Sequence, residues 1–184
     1  MSAEAVGRHM PAVVTLDDVA AMNAADPNGH RYETSPEGVL SVMPPPDSER
    51  ATIASRLFAW FVMAGWPADQ VLQAVGIRVR TPSGVGGRIP DLTVWRQPPP
   101  RGVWVAVTDL ALVIEIVSPG SESMDAVTKV REYAAAGIPQ YWVVDRDGAQ
   151  TVTLHRLGTQ GRYEERAKLP LAWLVQTSPA DHLG

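Results

Sequence analysis

The chain contains no cysteine, which excludes a disulfide scaffold, a thiolate metal centre and a cysteine nucleophile together. Histidine is scarce as well. His9, His30, His155 and His182 are scattered, and no two stand at the i, i+4 spacing of a helical zinc site. A metal held here would take oxygen ligands. Long apolar runs are also missing: stretches such as residues 111–114 fall far short of a membrane span. The opening MSAEAVGRHM has no apolar core of a secretory signal, so the expected location is the cytoplasm. Lysine is the last scarcity, Lys129 and Lys168 standing against fourteen arginines.

What is present fits one globular domain. The 184 residues are 45% hydrophobic and 20% charged, enough for a sizeable core. We expect a single domain over residues 1–184, with a flexible N-terminus at about 1–12. Sixteen basic against twenty acidic side chains leave a net charge of −4, too acidic for a sleeve that wraps nucleic acid by charge alone. The balance is −5 over residues 1–50, +2 over 51–120 and −1 over 121–184, so a polyanion site must be local.

Thr15 with Asp17 and Asp18 behind it reads as a capped helix start, running to about residue 25. Residues 31–43 read as a strand pair turned at Pro36–Gly38. Ser48 is expected to cap a helix whose Ile53, Leu57, Trp60, Phe61 and Ala64 make one apolar face. Residues 71–80 alternate as one half-exposed strand should, and residues 89–95 and 111–117 are the next two strands. The last of these is apolar enough to be buried on both faces. Ser121 is expected to open a helix over residues 121–136, followed by strands at 140–145 and 151–156. The reading is an α/β fold around a mixed central sheet, with a parallel crossover from Val117 through a helix to Tyr141.

Glu115 stands out because it interrupts Leu112, Val113, Ile114, Ile116 and Val117, where an unpaired charge would cost several kcal/mol. Such an acid is neutralised by a raised pKa, a cation or a metal. An alternative is a buried structural ion pair. Pro90 and Asp91 open the strand one element earlier, and if the two strands are neighbours the two acids converge on one face, suited to a hard divalent cation. Asp91 alone would read as an ordinary strand-start residue. Lys129 shares a helix face with Asp125 and Tyr133. It is expected either to form a surface pair with Asp125 or to aim its ammonium at the two acids, where a point charge can face phosphate.

Ile114, Glu115, Ile116, Val117, Ser118, Pro119, then Asp125, Lys129, Glu132, Tyr133, Gly137, Tyr141, Trp142 and Asp145 resemble the signature of the Uma family, described as putative restriction endonucleases, in the PD-(D/E)XK nuclease superfamily. The resemblance covers roughly residues 15–175. It implies a restriction-endonuclease-like fold and a metal-dependent endonuclease that cleaves DNA phosphodiesters. Asp91 and Glu115 would hold Mg2+ or Mn2+ with the backbone carbonyl of Ile116. The superfamily lysine, two residues after the second acid, is Val117 here, which points to Lys129 on the following helix. Tyr32, Glu33 and Gly38 match a further pattern of the family and make Glu33 an additional catalytic acid, unless it is merely a solvated strand residue. A family histidine at the start of the next helix is Arg50 in this sequence. Cleaving two strands implies a homodimer, and the rival expectation is a catalytically inactive nuclease-fold binding or interaction module. Tyr133 and Trp142 are expected to pack together between helix and sheet rather than to stack on bases.

Overall fold

A computed structural model describes residues 14–117 and 125–183. The expected flexible start and the expected cap at Ser121 fall outside them. Helix α1 (Leu16–Ala25) starts as the sequence predicts. The Thr15 hydroxyl accepts the Asp18 N–H at 3.2 Å and the Asp18 carboxylate accepts the Thr15 N–H at 2.8 Å, a reciprocal cap. Strands β1 (Arg31–Thr34) and β2 (Leu40–Met43) form the expected antiparallel hairpin. Helix α2 (Ser48–Met63) is capped by Asp47 rather than by Ser48. Asp47 has extended backbone angles and its carboxylate accepts the Arg50 N–H at 2.9 Å, whereas Ser48 is already helical.

The alternating stretch at 71–80 is two strands, contrary to expectation. After a short 3-10 turn (Ala68–Gln70) come β3 (Val71–Gln73) and β4 (Ile77–Thr81), which belong to different sheets. Ala74 turns the chain between them at φ 52°, a left-handed conformation rare outside glycine. Then follow β5 (Gly84–Arg88), β6 (Leu92–Trp95), β7 (Val105–Ala106), β8 (Leu110–Val117), α3 (Asp125–Ala135), β9 (Gln140–Asp145), β10 (Thr151–Leu157), β11 (Tyr163–Pro170), α4 (Leu171–Leu174) and α5 (Ala180–Leu183).

The strands make a six-stranded sheet in the order β11-β10-β9-β8-β6-β3 and a five-stranded sheet in the order β2-β1-β5-β4-β7. Strand β8 lies inside the larger sheet, antiparallel to β6 and parallel to β9 across the α3 crossover. The expected mixed sheet flanked by helices is therefore present, joined by a second sheet that the sequence reading did not separate from it. Among the described residues no helix is long and apolar enough to cross a membrane.

The larger sheet has two different faces. On one, Leu112, Ile114 and Ile116 of β8 with Trp142 and Val144 of β9 pack against Ile53, Leu57 and Phe61 of α2. On the other, Val113 of β8 and Tyr141 of β9 meet Tyr133 of α3 and Ile77 and Val79 of the smaller sheet. Period-two alternation then assigns Glu115 to the α3 face. The same alternation corrects the pairing of Tyr133 with Trp142. Both rings are fully buried, as packing residues should be, but they lie on opposite faces of the sheet. Tyr133 packs against Tyr141 with ring centroids 5.5 Å apart, and Trp142 against Phe61 at 6.3 Å.

Strand β5 passes close to β1 through glycine. A Cβ on Gly86 would stand 2.6 Å from the Thr34 carbonyl oxygen and 2.7 Å from the Pro36 nitrogen, main-chain atoms that cannot swing aside. Gly86→Ala is expected to destabilise the fold by about 1–3 kcal/mol, read as a lower urea midpoint. An unchanged midpoint would show that β1 and β5 are free to part.

Candidate active site

The α3 face of β8 carries the acid, and the crossover helix brings the base. Glu115 is 5% exposed and Lys129 3%, with Lys129 Nζ 3.3 Å from Glu115 Oε1 and 3.0 Å from Glu33 Oε2. One turn further along α3, the Tyr133 hydroxyl donates to Glu115 Oε1 at 2.8 Å. Positions i and i+4 of a helix share a face, which is why a single helix supplies both partners. Lys129 is not at the surface, as a surface pair would need, but buried among carboxylates; the side chain of Asp125, its expected surface partner, lies outside the described residues.

Glu33, expected on a half-exposed strand, is fully buried. Its Oε1 accepts the Ile89 N–H at 2.7 Å, and its Oε2 faces Arg88 Nη1 at 3.3 Å as well as Lys129. Hairpin β1–β2 therefore delivers this acid to the interior and not to solvent. Arg88, at the end of β5, also binds Glu132 of α3 in a two-point fork, Nε to Oε2 at 2.7 Å and Nη2 to Oε1 at 2.6 Å.

Asp91 lies just before β6. Leu92 pairs with Ile114 in the antiparallel register, whose continuation sets Asp91 opposite Glu115, and the negative charge of Asp91 helps to disfavour ionisation of Glu115. The Asp91 carboxylate is gripped by Arg50 of α2, Nε to Oδ1 at 2.6 Å and Nη2 to Oδ2 at 2.8 Å. The Ile116 N–H donates to Oδ2 at 2.8 Å, and Arg31 Nη2 stands 3.5 Å from Oδ1. Of the residues expected at the site, Lys129 is in direct contact with both Glu33 and Glu115. Asp91 joins them through its place beside β8, and Ile116 meets Asp91 through its N–H.

Of the three arginines, which come from elements distant in the chain, Arg50 shows in the sequence only as a departure from the family histidine, while Arg31 and Arg88 match the ordinary arginine background. Glu132 and the Tyr133 hydroxyl were within reach of sequence reasoning, since both sit one turn of helix from Lys129.

Burial is the main force on Glu115. It pushes the carboxyl up to about 7, with Lys129 opposing the rise and Asp91 and Glu33 adding to it. The Tyr133 hydroxyl is raised well above the usual phenol range, by burial first and by the negative charge of Glu115 next, so it stays a donor.

The oxygen chemistry of the acids is right for magnesium or manganese, but their present arrangement does not fit such an ion. A carboxylate offers about four lone-pair directions; Arg50 takes one on each oxygen of Asp91 and the Ile116 N–H a third, with Arg31 loosely placed at 3.5 Å. Among the described residues no group of three or more His, Cys, Asp or Glu side chains is disposed to hold a metal. Beside the cluster a cleft of about 510 Å3 is lined by Ser35, Glu37, Val39, Met43, Arg88 and Thr128.

Residues 16–180 match the profile of the Uma2 family, described as "Putative restriction endonuclease". Among solved structures, the chain is similar to that of "a putative nuclease belonging to DUF820" from Anabaena variabilis ATCC 29413, with a TM-score of 0.60, 19% identity and 83% of each chain covered. That likeness is one of fold. No curated protein matches this chain.

Two outcomes test the electrostatics. A carboxyl that titrates near 7 when folded and near an ordinary 4.5 when unfolded binds its proton more tightly in the fold. Its contribution to stability is therefore fullest below about pH 4.5, falls as pH rises towards 7, and is level above. Glu115→Gln removes this slope, so its stability relative to wild type should climb across that window by on the order of 3 kcal/mol; a difference that stays flat with pH would refute the raised pKa. Arg88→Met leaves Glu33 and Glu132 without their shared cation and is expected to cost about 3–5 kcal/mol in chemical denaturation. A loss under about 1 kcal/mol would mean that water already reaches the pair.

Proposed function

This chain belongs to the Uma2 family, and on that premise we propose that it hydrolyses phosphodiester bonds in DNA at the cluster of Glu115, Lys129, Asp91 and Glu33. Glu115 carries the reading. An acid in the middle of a core strand costs stability, and such groups concentrate at working sites; a carboxyl poised near neutrality is suited to take a proton from an attacking water. Glu115 serves as that base. Lys129, 3.3 Å from it, places a compact positive charge beside the point of attack, where it stabilises the charge that develops on the phosphoryl oxygens. Tyr133 fixes the Glu115 carboxylate by its hydrogen bond.

Arg31 is the group available to the phosphate. Its Nε is buried without a hydrogen-bond partner among the described residues, and its terminal nitrogen is only loosely held by Asp91 at 3.5 Å. The cleft that ends on Arg88 and Met43 is the route by which the sugar-phosphate chain approaches. Magnesium finds no free oxygen on Asp91 while Arg50 holds both. Cutting both strands takes two such sites, and a twofold homodimer supplies them with the symmetry of the duplex.

The second reading is a nuclease-fold module that binds without turnover. The two-point grip of Arg50 on Asp91 favours it, since that acid is tied up in the resting protein.

Nicking of supercoiled plasmid, with Mg2+, with Mn2+ and with neither, separates the two. Wild type is expected to cleave, Glu115→Gln and Lys129→Ala to fall by about a hundredfold or more, and Lys129→Arg to recover part of the loss because its planar fork differs from a point charge. Wild type that shifts DNA in a gel but never nicks it would establish the binding module instead. Cleavage by Lys129→Ala at the wild-type rate would remove the lysine from the mechanism.

A further inference from the structure

The cluster gathers the acids Glu33, Asp91, Glu115 and Glu132 with the cations Arg31, Arg50, Arg88 and Lys129. Among the described residues, four acids face four cations. A divalent ion added there would bring further positive charge into a buried place whose acids are already paired. The ion would also find its first ligand taken. The Asp91 oxygens face Arg50 at 2.6 and 2.8 Å, and Oδ2 further accepts the Ile116 N–H at 2.8 Å.

The geometry points to Arg50 as an internal substitute for the metal: its guanidinium and a divalent cation compete for the same oxygens of Asp91, and in the wild-type protein the guanidinium holds them. This deepens the reading of the cluster as the working site and rests on it.

The grip is built into the fold. Arg50 lies in the first turn of α2, 8% exposed, and its backbone N–H is tied to the capping carboxylate of Asp47. Asp47 and the neighbouring Glu49 are both paired with Arg146, at 2.9 and 2.6 Å, from the loop after β9. The helix start is thus anchored independently of Asp91, and the long side chain spans from that anchor to the acid. Deleting the guanidinium leaves Asp91 with the Ile116 N–H and the distant Arg31, and leaves the cluster one positive charge short. That vacancy is the one a metal ion suits.

Mn2+ binding to the full chain tests this, measured by titration calorimetry and by the loss of the free-ion paramagnetic resonance signal. Wild type is expected to bind weakly, and Arg50→Ala about tenfold or more tightly. Arg50→Gln keeps most of the side-chain volume and one donor, so it reports on the same competition if the alanine variant folds poorly. Mn2+ should raise the melting temperature of either variant more than that of wild type, and adding Asp91→Asn to the variant should cancel the gain. Wild type that binds Mn2+ as tightly as the variants, or variants that bind no better than wild type, would overturn the proposal. Plasmid nicking run on the same samples keeps the two readings apart. Tighter Mn2+ binding without nicking sustains the role of Arg50 and ends the hydrolytic reading, whereas nicking with unchanged Mn2+ affinity does the reverse.

Discussion

The burial of a carboxylate in a core strand is the constraint on which the rest of this molecule depends. Glu115 occupies a position that the surrounding valines and isoleucines would fill with a methyl-bearing side chain, and its burial keeps it from bulk solvent. Its charge has to be met by other side chains. Lys129 and Tyr133 meet it from α3, Lys129 draws in Glu33 from β1, Glu33 draws in Arg88 from β5, and Arg88 closes on Glu132, back on α3. The ring of contacts ties the crossover helix to both sheets. Removing Arg88 takes the cation from Glu132 and one of two cations from Glu33, so electrostatics joins buried area in holding these elements in position.

The two faces of the larger sheet divide the labour. The α2 face is largely apolar, a packing of Trp, Phe, Leu, Ile and Val in which aromatic rings approach within 4.9 to 6.3 Å. It supplies the hydrophobic stabilisation that lets the opposite face carry charge. The parallel pairing of β8 and β9 requires a crossover helix on one side of the sheet, and α3 provides it. The helix that closes the topology is thus also the one that brings in Lys129, so topology and chemistry are not separable here.

Much of this was legible in the sequence where local rules decide. Thr15 and Asp18 announce α1, the apolar run with an acid in it announces β8, and Gly137 with Pro139 fixes where α3 must stop before β9. Rules failed where a single backbone angle or a distant partner decides. Val75, Ile77 and Val79 keep the alternation of one strand, and nothing in the residue type of Ala74 tells that the chain turns there at φ 52°. Strand β11 is an edge strand of mostly polar, exposed residues, so its pairing with β10 leaves no hydrophobic pattern to read. Trp142 and Tyr141 are adjacent, and a strand turns only one of them towards α3; the choice depends on β8 and β9 sharing a register. Lys129, Glu115 and Asp91 were visible by composition and motif, but Arg50 was visible only as a departure from a family pattern, because its meaning lies in a partner 41 residues away.

That separation recurs throughout the cluster. Arg88 reaches Glu132 across 44 residues and Glu33 across 55, while only the Glu115 contacts with Lys129 and Tyr133 are comparatively near in the chain. During synthesis, a chain that has not yet emitted α3 holds its acids from β1 and β8 without the lysine that neutralises one and shares the other. Charges that are unmatched stay hydrated, and hydrated charges keep β8 from being sealed under its helix. The cluster closes only when hairpin, sheet and crossover helix have met. A ribosome-bound or proteolytically shortened chain that ends before α3 would carry Glu33, Asp91 and Glu115 and yet have no assembled site. Whatever chemistry the intact protein performs is thereby withheld until folding is complete.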